Sequence, residues 1–504
     1  MVDDPQTTPP AADGGARPRV GAKARRVPDP VMHAAAGAHA EEPAGTHTEA
    51  SAQPPEPTNV AVDPTGALSA GTDAGASSQP QAPANTAVDG EVDPHSAADA
   101  EDVPEAYARF DRFPGYVQLQ RRMAVAHRLG LPVPFFTPHH GVAGARTVVA
   151  GRTCINFSSY NYLGLCGHAA VSAAAHAAID TYGTSVSASR LVAGERPLHQ
   201  ELEAALAAQI GAPAALALVS GHATNVTTIG QLFGARDLVL TDAAVHNSVR
   251  QGAQLSGAHW LTFPHNDWQA LDDLLRRERR RHERALVAIE AVYSMDGDIA
   301  DLPRFIEVKK RHRAFLMVDE AHSLGVIGAT GGGAGEHFSV PRDDVDIWMG
   351  TLSKTFASCG GFIAGCEALI YYLRYAAPGF VFSVGMSPPD AAAALAALRQ
   401  MQAEPERVAR LQARSRLFLD LARQRGLDTG RSGGSAIVPV IVRNSMKTLA
   451  LAQQLLESGL HVSPILHPGV TEREARLRFF LSCDHSEDDI RTAVQTTADL
   501  LARL

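Results

Sequence analysis

Short apolar runs recur along the chain from about His168 onward, and they alternate with segments of helical length. Most runs are continuous, without an alternating polar residue, which is typical of strands buried on both faces. Strands that alternate with helices predict a mainly parallel sheet with helices on both faces. The apolar runs are 215–219, 238–240, 260–263, 286–289, 315–318, 345–349 and 361–364, and they predict a seven-stranded sheet.

The pattern changes at about residue 391. A long helical stretch, 401–424 included, is followed by predicted strands at 436–442, 460–465 and 477–482 and by a helix from Glu487. This order predicts a smaller C-terminal α+β domain. Within an α/β fold class, the predicted segments are an N-terminal arm at 103–165, a large domain at 166–390 and a small domain at 391–504.

The first hundred residues contain no Phe, Trp or Tyr and are rich in Ala and Pro. Such a composition buries too little apolar surface to offset its ordering entropy, so residues 1–102 are predicted to be a disordered acidic tail. The first hundred residues carry 14 acidic and five basic side chains, so the rest of the chain is close to neutral. This argues against binding to nucleic acid or an anionic membrane. The tail is either inert or a tether for a partner.

The N-terminus lacks the basic and apolar regions of a secretory signal, and no apolar run approaches the ~20 residues that span a bilayer. The five cysteines are scattered and form no C-x-x-C pair. This pattern predicts a cytoplasmic protein without a disulfide framework or a zinc finger.

Lys354 is one of only five lysines, against 40 arginines. It lies among small hydroxyl residues and glycines, between two predicted buried strands. One interpretation is a solvated loop lysine, because lysine is seldom buried without a partner. The other is an amine whose pKa is lowered so that it attacks a carbonyl group.

Other polar residues follow the predicted strands. Asp319 follows the run 315–318, where a buried carboxylate needs a cation or several donors. Gly221 opens a helix after the run 215–219, and helix N-termini bind phosphate. A metal site at Asp319, Glu320 and His322 is the alternative, but no second ligand cluster and no H-E-x-x-H sequence accompanies it, so no metal is predicted. No G-x-S-x-G sequence indicates a serine hydrolase.

Nine short motifs follow one another along the chain. They begin at Tyr160 (YNYLGL), Ser187 (SASRLVAG), His199 (HQELE), Ser220 (SGHATN), His246 (HNS), Tyr293 (YSMDGD), Val318 (VDEAHSLG), Gly350 (GTLSK) and Arg476 (RLR). In this order they resemble the motifs of the α-oxoamine synthases, which are fold type I pyridoxal 5'-phosphate (PLP) enzymes that join an amino acid to an acyl thioester with loss of carbon dioxide. The resemblance runs from about residue 105 to the C-terminus and is nearest to the branch associated with polyketide-type assembly lines.

The resemblance implies a role for each matching residue. Lys354 forms the Schiff base with PLP, Asp319 pairs with the pyridinium nitrogen, and Arg478 binds the substrate carboxylate. The catalytic set is Lys354, His246, Asp319 and His322. In the cofactor site, His246 stacks on the ring, His322 and Ser294 contact the phenolic oxygen, and Gly221, His222 and Thr351 contact the phosphate. Tyr160, Ser187 and Ser189 complete the substrate site with Arg478.

The implied reaction condenses serine, glycine or alanine with an acyl thioester of coenzyme A or of an acyl carrier protein supplied in trans. The resemblance also implies a homodimer. An aminotransferase and a non-catalytic subunit that keeps the fold are the alternatives. The sequence departs from the usual family pattern at Tyr160, His222, Val186 and Ala188. The usual Gly-Ser-x-Gly-Ser-Arg pattern is here Ser185-Val-Ser-Ala-Ser-Arg, and the extra side chains at Val186 and Ala188 should narrow the acyl channel or change how the donor enters.

Overall fold

The computed structural model describes residues 103–128, 134–467 and 469–504, which all belong to one compact unit. The predicted tail, residues 1–102, lies outside the described residues. The proposed boundaries between arm, large domain and small domain stay predictions. No helix in the described part of the chain is long and apolar enough to cross a membrane.

The strands are numbered in chain order. They are β1 His139–His140, β2 Arg146–Val149, β3 Arg152–Asn156, β4 Ala214–Leu218, β5 Leu238–Asp242, β6 His259–Phe263, β7 Ala285–Glu290, β8 Phe315–Asp319, β9 Ile347–Thr351, β10 Gly361–Gly365, β11 Ile437–Ile441, β12 Leu460–His461, β13 Ser463–Ile465 and β14 Arg476–Phe480.

The helices are numbered in the same way. They are α1 Pro114–Arg128, α2 Ala169–Tyr182, α3 Pro197–Ile210, α4 Gly221–Leu232, α5 Asn247–Ser256, α6 Trp268–Glu278, α7 Leu302–His312, α8 Gly333–His337, α9 Glu367–Ala376, α10 Pro378–Val381, α11 Pro388–Ala403, α12 Glu406–Gln424, α13 Ser445–Glu457 and α14 Glu487–Leu501.

The central sheet has seven strands in the order β4-β10-β9-β8-β7-β5-β6. Strands β5 to β9 are parallel, and β10 runs antiparallel to both its neighbours. Every residue of β5, β7, β9 and β10 is buried, so helices and loops cover both faces. The predicted mainly parallel seven-stranded sheet is confirmed, and each strand agrees with its apolar run to within two residues.

Helices α4 and α5 begin directly after β4 and β5, and a side chain caps each of them. Ser220 accepts a hydrogen bond from the Ala223 N–H, and His246 accepts one from the Ser248 N–H. The two helices also pack closely at Gly252, where a Cβ atom would lie 2.9 Å from the Asn225 carbonyl oxygen. Glycine at this position therefore allows the two helices that border the site to approach each other.

The C-terminal part is α+β, as predicted. Strands β11, β14 and β13 form an antiparallel sheet, and α12, α13 and α14 surround it. Strand β12 pairs in parallel with β3, with Leu460 opposite Ile155, and so joins the arm strands in a four-stranded sheet. The sequence did not predict this pairing, because the two strands are short and some 300 residues apart.

Candidate active site

A cavity of about 170 Å³ lies at the carboxyl edge of the central sheet. Parallel strands end at the same edge, so the residues that follow them meet there. All eight residues predicted to bind the cofactor line this one cavity: Gly221, His222, His246, Ser294, Asp319, His322, Thr351 and Lys354.

Lys354 lies in the turn after β9, with its side chain in the cavity wall. Burial lowers the pKa of its amine to about 8, although the nearby charges of Asp319 and Glu290 act in the opposite direction. The charge of Arg478 lowers this pKa further. An amine with a pKa near 8 is partly neutral at neutral pH and so is available as a nucleophile or a base.

Asp319 ends β8 and is only 4% exposed. Its carboxylate accepts hydrogen bonds of 2.9 Å from Asn225 Nδ2 and from the Ala321 N–H. Glu290 lies in register with it on the neighbouring strand β7. Burial and the charge of Asp319 both raise the pKa of Glu290. Two adjacent buried carboxyl groups favour the binding of a cationic group near the ends of β7 and β8.

His322 is held by Tyr162, whose hydroxyl oxygen lies 2.8 Å from His322 Nδ1. Burial lowers the pKa of His322 well below its usual value, and burial raises the pKa of Tyr162 well above the usual value of a tyrosine. The imidazole is therefore neutral and the phenol keeps its proton. The hydroxyl has no other acceptor among the described residues, so it donates to Nδ1 and leaves the imidazole proton on Nε2.

Glu290 connects two segments of the cavity wall. Its carboxylate accepts hydrogen bonds from the backbone N–H groups of His246 and Ser294. His246 caps α5 and Ser294 follows β7, so one buried side chain fixes both positions.

Arg478 and Tyr160, two of the predicted substrate residues, do not line the cavity but lie against the lining residues Ser294 and Lys354. Arg478 Nη1 donates a 2.9 Å hydrogen bond to the Ser294 carbonyl oxygen, and its guanidinium lies 4.6 Å from the ring centre of Phe480. Arg478 Nε is buried and has no hydrogen-bond partner among the described residues. Lys354 Nζ lies 5.8 Å from the ring centre of Tyr160. An orphaned guanidinium donor beside Lys354 is suited to a carboxylate ligand.

Ser187 and Ser189 do not line the cavity in this chain. Ser187 is exposed and has a left-handed backbone, with φ 50°. Ser189 Oγ donates a 2.6 Å hydrogen bond to the Val381 carbonyl oxygen. Their role in substrate binding stays a prediction.

The start of α4 fits a phosphate group. The first N–H groups of a helix, here those of Gly221 and His222, have no intrahelical acceptor. A Cβ atom on Gly221 would lie 2.7 Å from Thr351 Oγ1, so a larger residue would obstruct this approach. The Thr351 hydroxyl donates to the Gly360 carbonyl oxygen at 3.0 Å, and His222 Nε2 lies 2.9 Å from Gln251 Oε1.

This donor set fits PLP. The cavity lining includes the free N–H groups at the start of α4, the buried carboxylate of Asp319 and the amine of Lys354, whose pKa is lowered. Arg478, which contacts the lining residue Ser294, has a buried Nε without a partner among the described residues. The fold and this site define a fold type I PLP-dependent enzyme.

Comparisons with known proteins agree with this class. The family model of aminotransferase class I and II matches residues 152–496. An 8-amino-7-oxononanoate synthase of Methylobacterium sp. (strain 4-46) is 42% identical over 363 residues, which cover 72% of this chain and 91% of that protein. A solved serine palmitoyltransferase of Sphingomonas wittichii is 31% identical, with a TM-score of 0.73, over 76% of this chain and 96% of that one. An 8-amino-7-oxononanoate synthase structure from Francisella tularensis has 26% identity and a TM-score of 0.61, over 69% of this chain and 98% of that one.

The chain therefore belongs to the aminotransferase class I and II family and, within it, to the α-oxoamine synthases.

Two groups of described residues have the spacing of metal ligands, and neither includes Asp319, Glu320 or His322. Glu320 is fully buried and accepts a hydrogen bond from the Ala334 N–H, outside the cavity lining. The two groups are His259, Glu278 and His282, and His265, Asp296 and Asp298. The metal alternative for the Asp319 motif has no support in the geometry.

Four residues whose hydrogen bonds hold the site together were not among the predicted site residues: Tyr162, Asn225, Ser248 and Glu290. Tyr162 and Asn225 lie within predicted motifs, but their roles depend on partners that are distant in sequence. Glu290 follows an apolar run in the same way as Asp319, so the same reasoning could have found it. Ser248 follows closely after His246 in the HNS motif, but nothing in the sequence indicates its hydrogen bonds to Asn225 and His246.

His265 connects the loop that follows β5 with the loop that follows β7, and both loops carry residues of the site. Its Nδ1 lies 2.9 Å from Asp242 Oδ1, and its Nε2 lies 2.9 Å from Asp298 Oδ2. Burial opposes the charged imidazole, but the hydrogen bonds and charges of the two aspartates outweigh it and raise the pKa of His265 to about 9. Asp242 ends β5, before the His246 turn, and Asp298 closes the Ser294 turn.

We expect His265→Gln to lower the free energy of unfolding by about 3 kcal/mol where the imidazole is charged. Because the folded pKa is raised, this stabilisation is complete below about pH 6.5 and is lost as the pH rises through about 9. Urea unfolding at about pH 6 and about pH 10 measures it, with His259→Gln as the exposed control. An equal destabilisation at both pH values would contradict the charged cluster.

Proposed function

We propose that this protein condenses a small L-amino acid with an acyl thioester, with loss of carbon dioxide, to give an α-aminoketone. The observation that carries this proposal is that Lys354 and Asp319 line one cavity, and that Arg478 donates a hydrogen bond to Ser294 of the same lining, in a chain of the α-oxoamine synthase family. The carboxyl carbon of the amino acid leaves as carbon dioxide, the acyl group joins its α-carbon, and the thiol is released.

Each residue has a defined task in this reaction. PLP, when bound, supplies carbanion stabilisation at the amino-acid α-carbon. Lys354 Nζ binds the cofactor and, once free, accepts a proton, because its lowered pKa leaves it partly neutral. The charge of Asp319 favours a protonated ring nitrogen, and neutral His322 donates from Nε2. Arg478 binds the amino-acid carboxylate in two-pronged geometry.

Serine, glycine and alanine are the first amino acids to test. The cavity of about 170 Å³ must also hold the cofactor, which leaves little space for a large α-substituent. The acyl donor is a thioester of coenzyme A or of an acyl carrier protein supplied in trans, in line with the branch that the sequence resembles. Both donors should be offered with each amino acid.

The test measures carbon dioxide and free thiol for each amino acid and thioester pair. We expect equal amounts of both products with one amino acid, and neither product when the thioester is omitted. Arg478→Lys should raise the KM for the amino acid more than the KM for the thioester, because lysine lacks the bidentate fork. Amino transfer to a keto acid without carbon dioxide would instead identify an aminotransferase, and no turnover would favour the non-catalytic subunit.

The proposed assembly is a homodimer. The N-terminal segment exposes a series of large apolar side chains that the described part of the chain leaves uncovered: Val103, Tyr107, Phe110, Phe113, Tyr116, Leu119, Phe135 and Phe136. A patch of this kind usually marks a protein interface. Light scattering after size exclusion should give twice the mass of the chain, and a monomeric, active enzyme would exclude the dimer.

A further inference from the structure

A continuous row of hydrogen bonds joins His246 to Asp319 through two residues that have no assigned role. Asn225 Nδ2 lies 2.9 Å from Asp319 Oδ2 and 2.9 Å from Ser248 Oγ. Ser248 Oγ lies 2.7 Å from His246 Nδ1. Asn225 and Ser248 are 1% and 0% exposed, so water does not compete for these groups.

The direction of each hydrogen bond follows from the number of protons available. The Asp319 carboxylate accepts, so the Asn225 amide nitrogen faces it and donates. The same amide group has a second N–H, which it donates to Ser248 Oγ. Ser248 therefore uses its single hydroxyl proton for His246 Nδ1.

His246 Nδ1 is then an acceptor, and the Ser248 backbone N–H points to the same nitrogen at 3.3 Å. The imidazole proton must lie on Nε2, which makes no hydrogen bond with the described residues and belongs to a ring in the cavity wall. Burial also lowers the pKa of His246, so the ring is neutral.

We propose that Asn225 and Ser248 are positioning residues that hold His246 in the neutral tautomer protonated at Nε2 and connect it to the Asp319 carboxylate. The proposal deepens the proposed function, because it rests on His246 facing the reacting groups. It assigns His246 a fixed donor, Nε2–H, on the cavity side of the ring.

The backbone supports this arrangement at two points. Gly252 allows α5 to approach α4, which brings Ser248 within reach of Asn225. Glu290 accepts the His246 backbone N–H, so the residue is held by its main chain as well as by its ring. The ring orientation is thus determined by three elements, α4, α5 and β7.

The tautomer is measurable by nitrogen NMR of the holoenzyme labelled with ¹⁵N-histidine. Comparison with His246→Gln identifies the two ring signals of His246. We expect Nδ1 to resonate as an unprotonated acceptor and Nε2 as a protonated nitrogen. In Ser248→Ala the two signals should move toward each other, because the remaining backbone N–H holds the ring less firmly.

Ser256→Ala is the matched control, since its hydroxyl donates to a carbonyl of its own helix at the far end of α5. It should leave both His246 signals unchanged. A protonated Nδ1 in the wild type would overturn the proposal, and so would His246 signals in Ser248→Ala identical to those of the wild type. If Ser248→Ala does not fold, Ser248→Cys keeps a weak donor and should give intermediate signals.

Kinetics provides a second measurement. Ser248→Ala should lower kcat by about tenfold while the melting temperature and the PLP content stay close to those of the wild type. A fall in stability without a change in the ring signals would indicate a merely structural role. The ring signals are read whether or not an amino acid and thioester pair is found, so failure of this proposal and failure of the proposed function are distinguishable.

Discussion

Replacement of Lys354 by alanine should reduce product formation by roughly a thousandfold or more, because no other described group in the cavity offers a nucleophilic amine. The change removes both the covalent attachment of the cofactor and the base that accepts a proton. It should leave the fold intact, since the side chain lies in a cavity wall and not in the hydrophobic core. Release of carbon dioxide and thiol, with visible absorbance of the dialysed protein, measures both effects.

Lys310→Ala is the matched control. Lys310 lies on α7 and forms an exposed ion pair with Asp344, away from the cavity. This variant should keep its bound cofactor and its activity, because exposed ion pairs contribute little to stability. Turnover by Lys354→Ala at a rate close to that of the wild type would refute the assignment of the catalytic lysine.

The change Asp319→Asn should lower kcat by roughly a hundredfold or more, because it removes one partner of a buried charged pair without a large change in volume. The carboxylate favours the protonated form of the cofactor ring, and a neutral amide does not. The change should also lower the pKa of Lys354 below about 8, since the charge of Asp319 raises that pKa. The pH dependence of kcat/KM and of the cofactor absorbance measures these two consequences.

Asp273→Asn, at an exposed position on α6, controls for the loss of a carboxylate elsewhere. It should leave both the rate and the pH dependence unchanged. An Asp319→Asn enzyme with wild-type kcat would show that the ring nitrogen does not depend on this carboxylate.

The order of hydrophobic and polar positions was sufficient to predict the central sheet. Most of its strands are short runs in which both side-chain directions are buried, and such a run is visible without knowledge of its neighbours. The residues of the candidate site could be expected to meet for a related reason. Asp319, Gly221 and Lys354 each follow a buried strand, and parallel strands bring their carboxyl ends to one edge.

The structural features that the sequence did not predict depend on contacts between residues that lie far apart in the chain. The β3–β12 pairing joins residues on opposite sides of the large domain in sequence, and neither strand is long enough to give a periodic pattern. Ser187 and Ser189 match a sequence motif, yet the cavity of this chain does not include them. Their predicted contact with substrate remains to be tested.

The sequence by itself determined the fold class and the residue types that carry the chemistry, because strand burial and strand-end positions are local properties of the chain. Only the tertiary structure decided the protonation states. The pKa of Lys354, the tautomer of His322 and the direction of the bonds from Asp319 to His246 depend on burial and on partners up to 160 residues away. Proton positions follow from the full set of donors and acceptors around each group, and that set exists only in the folded chain.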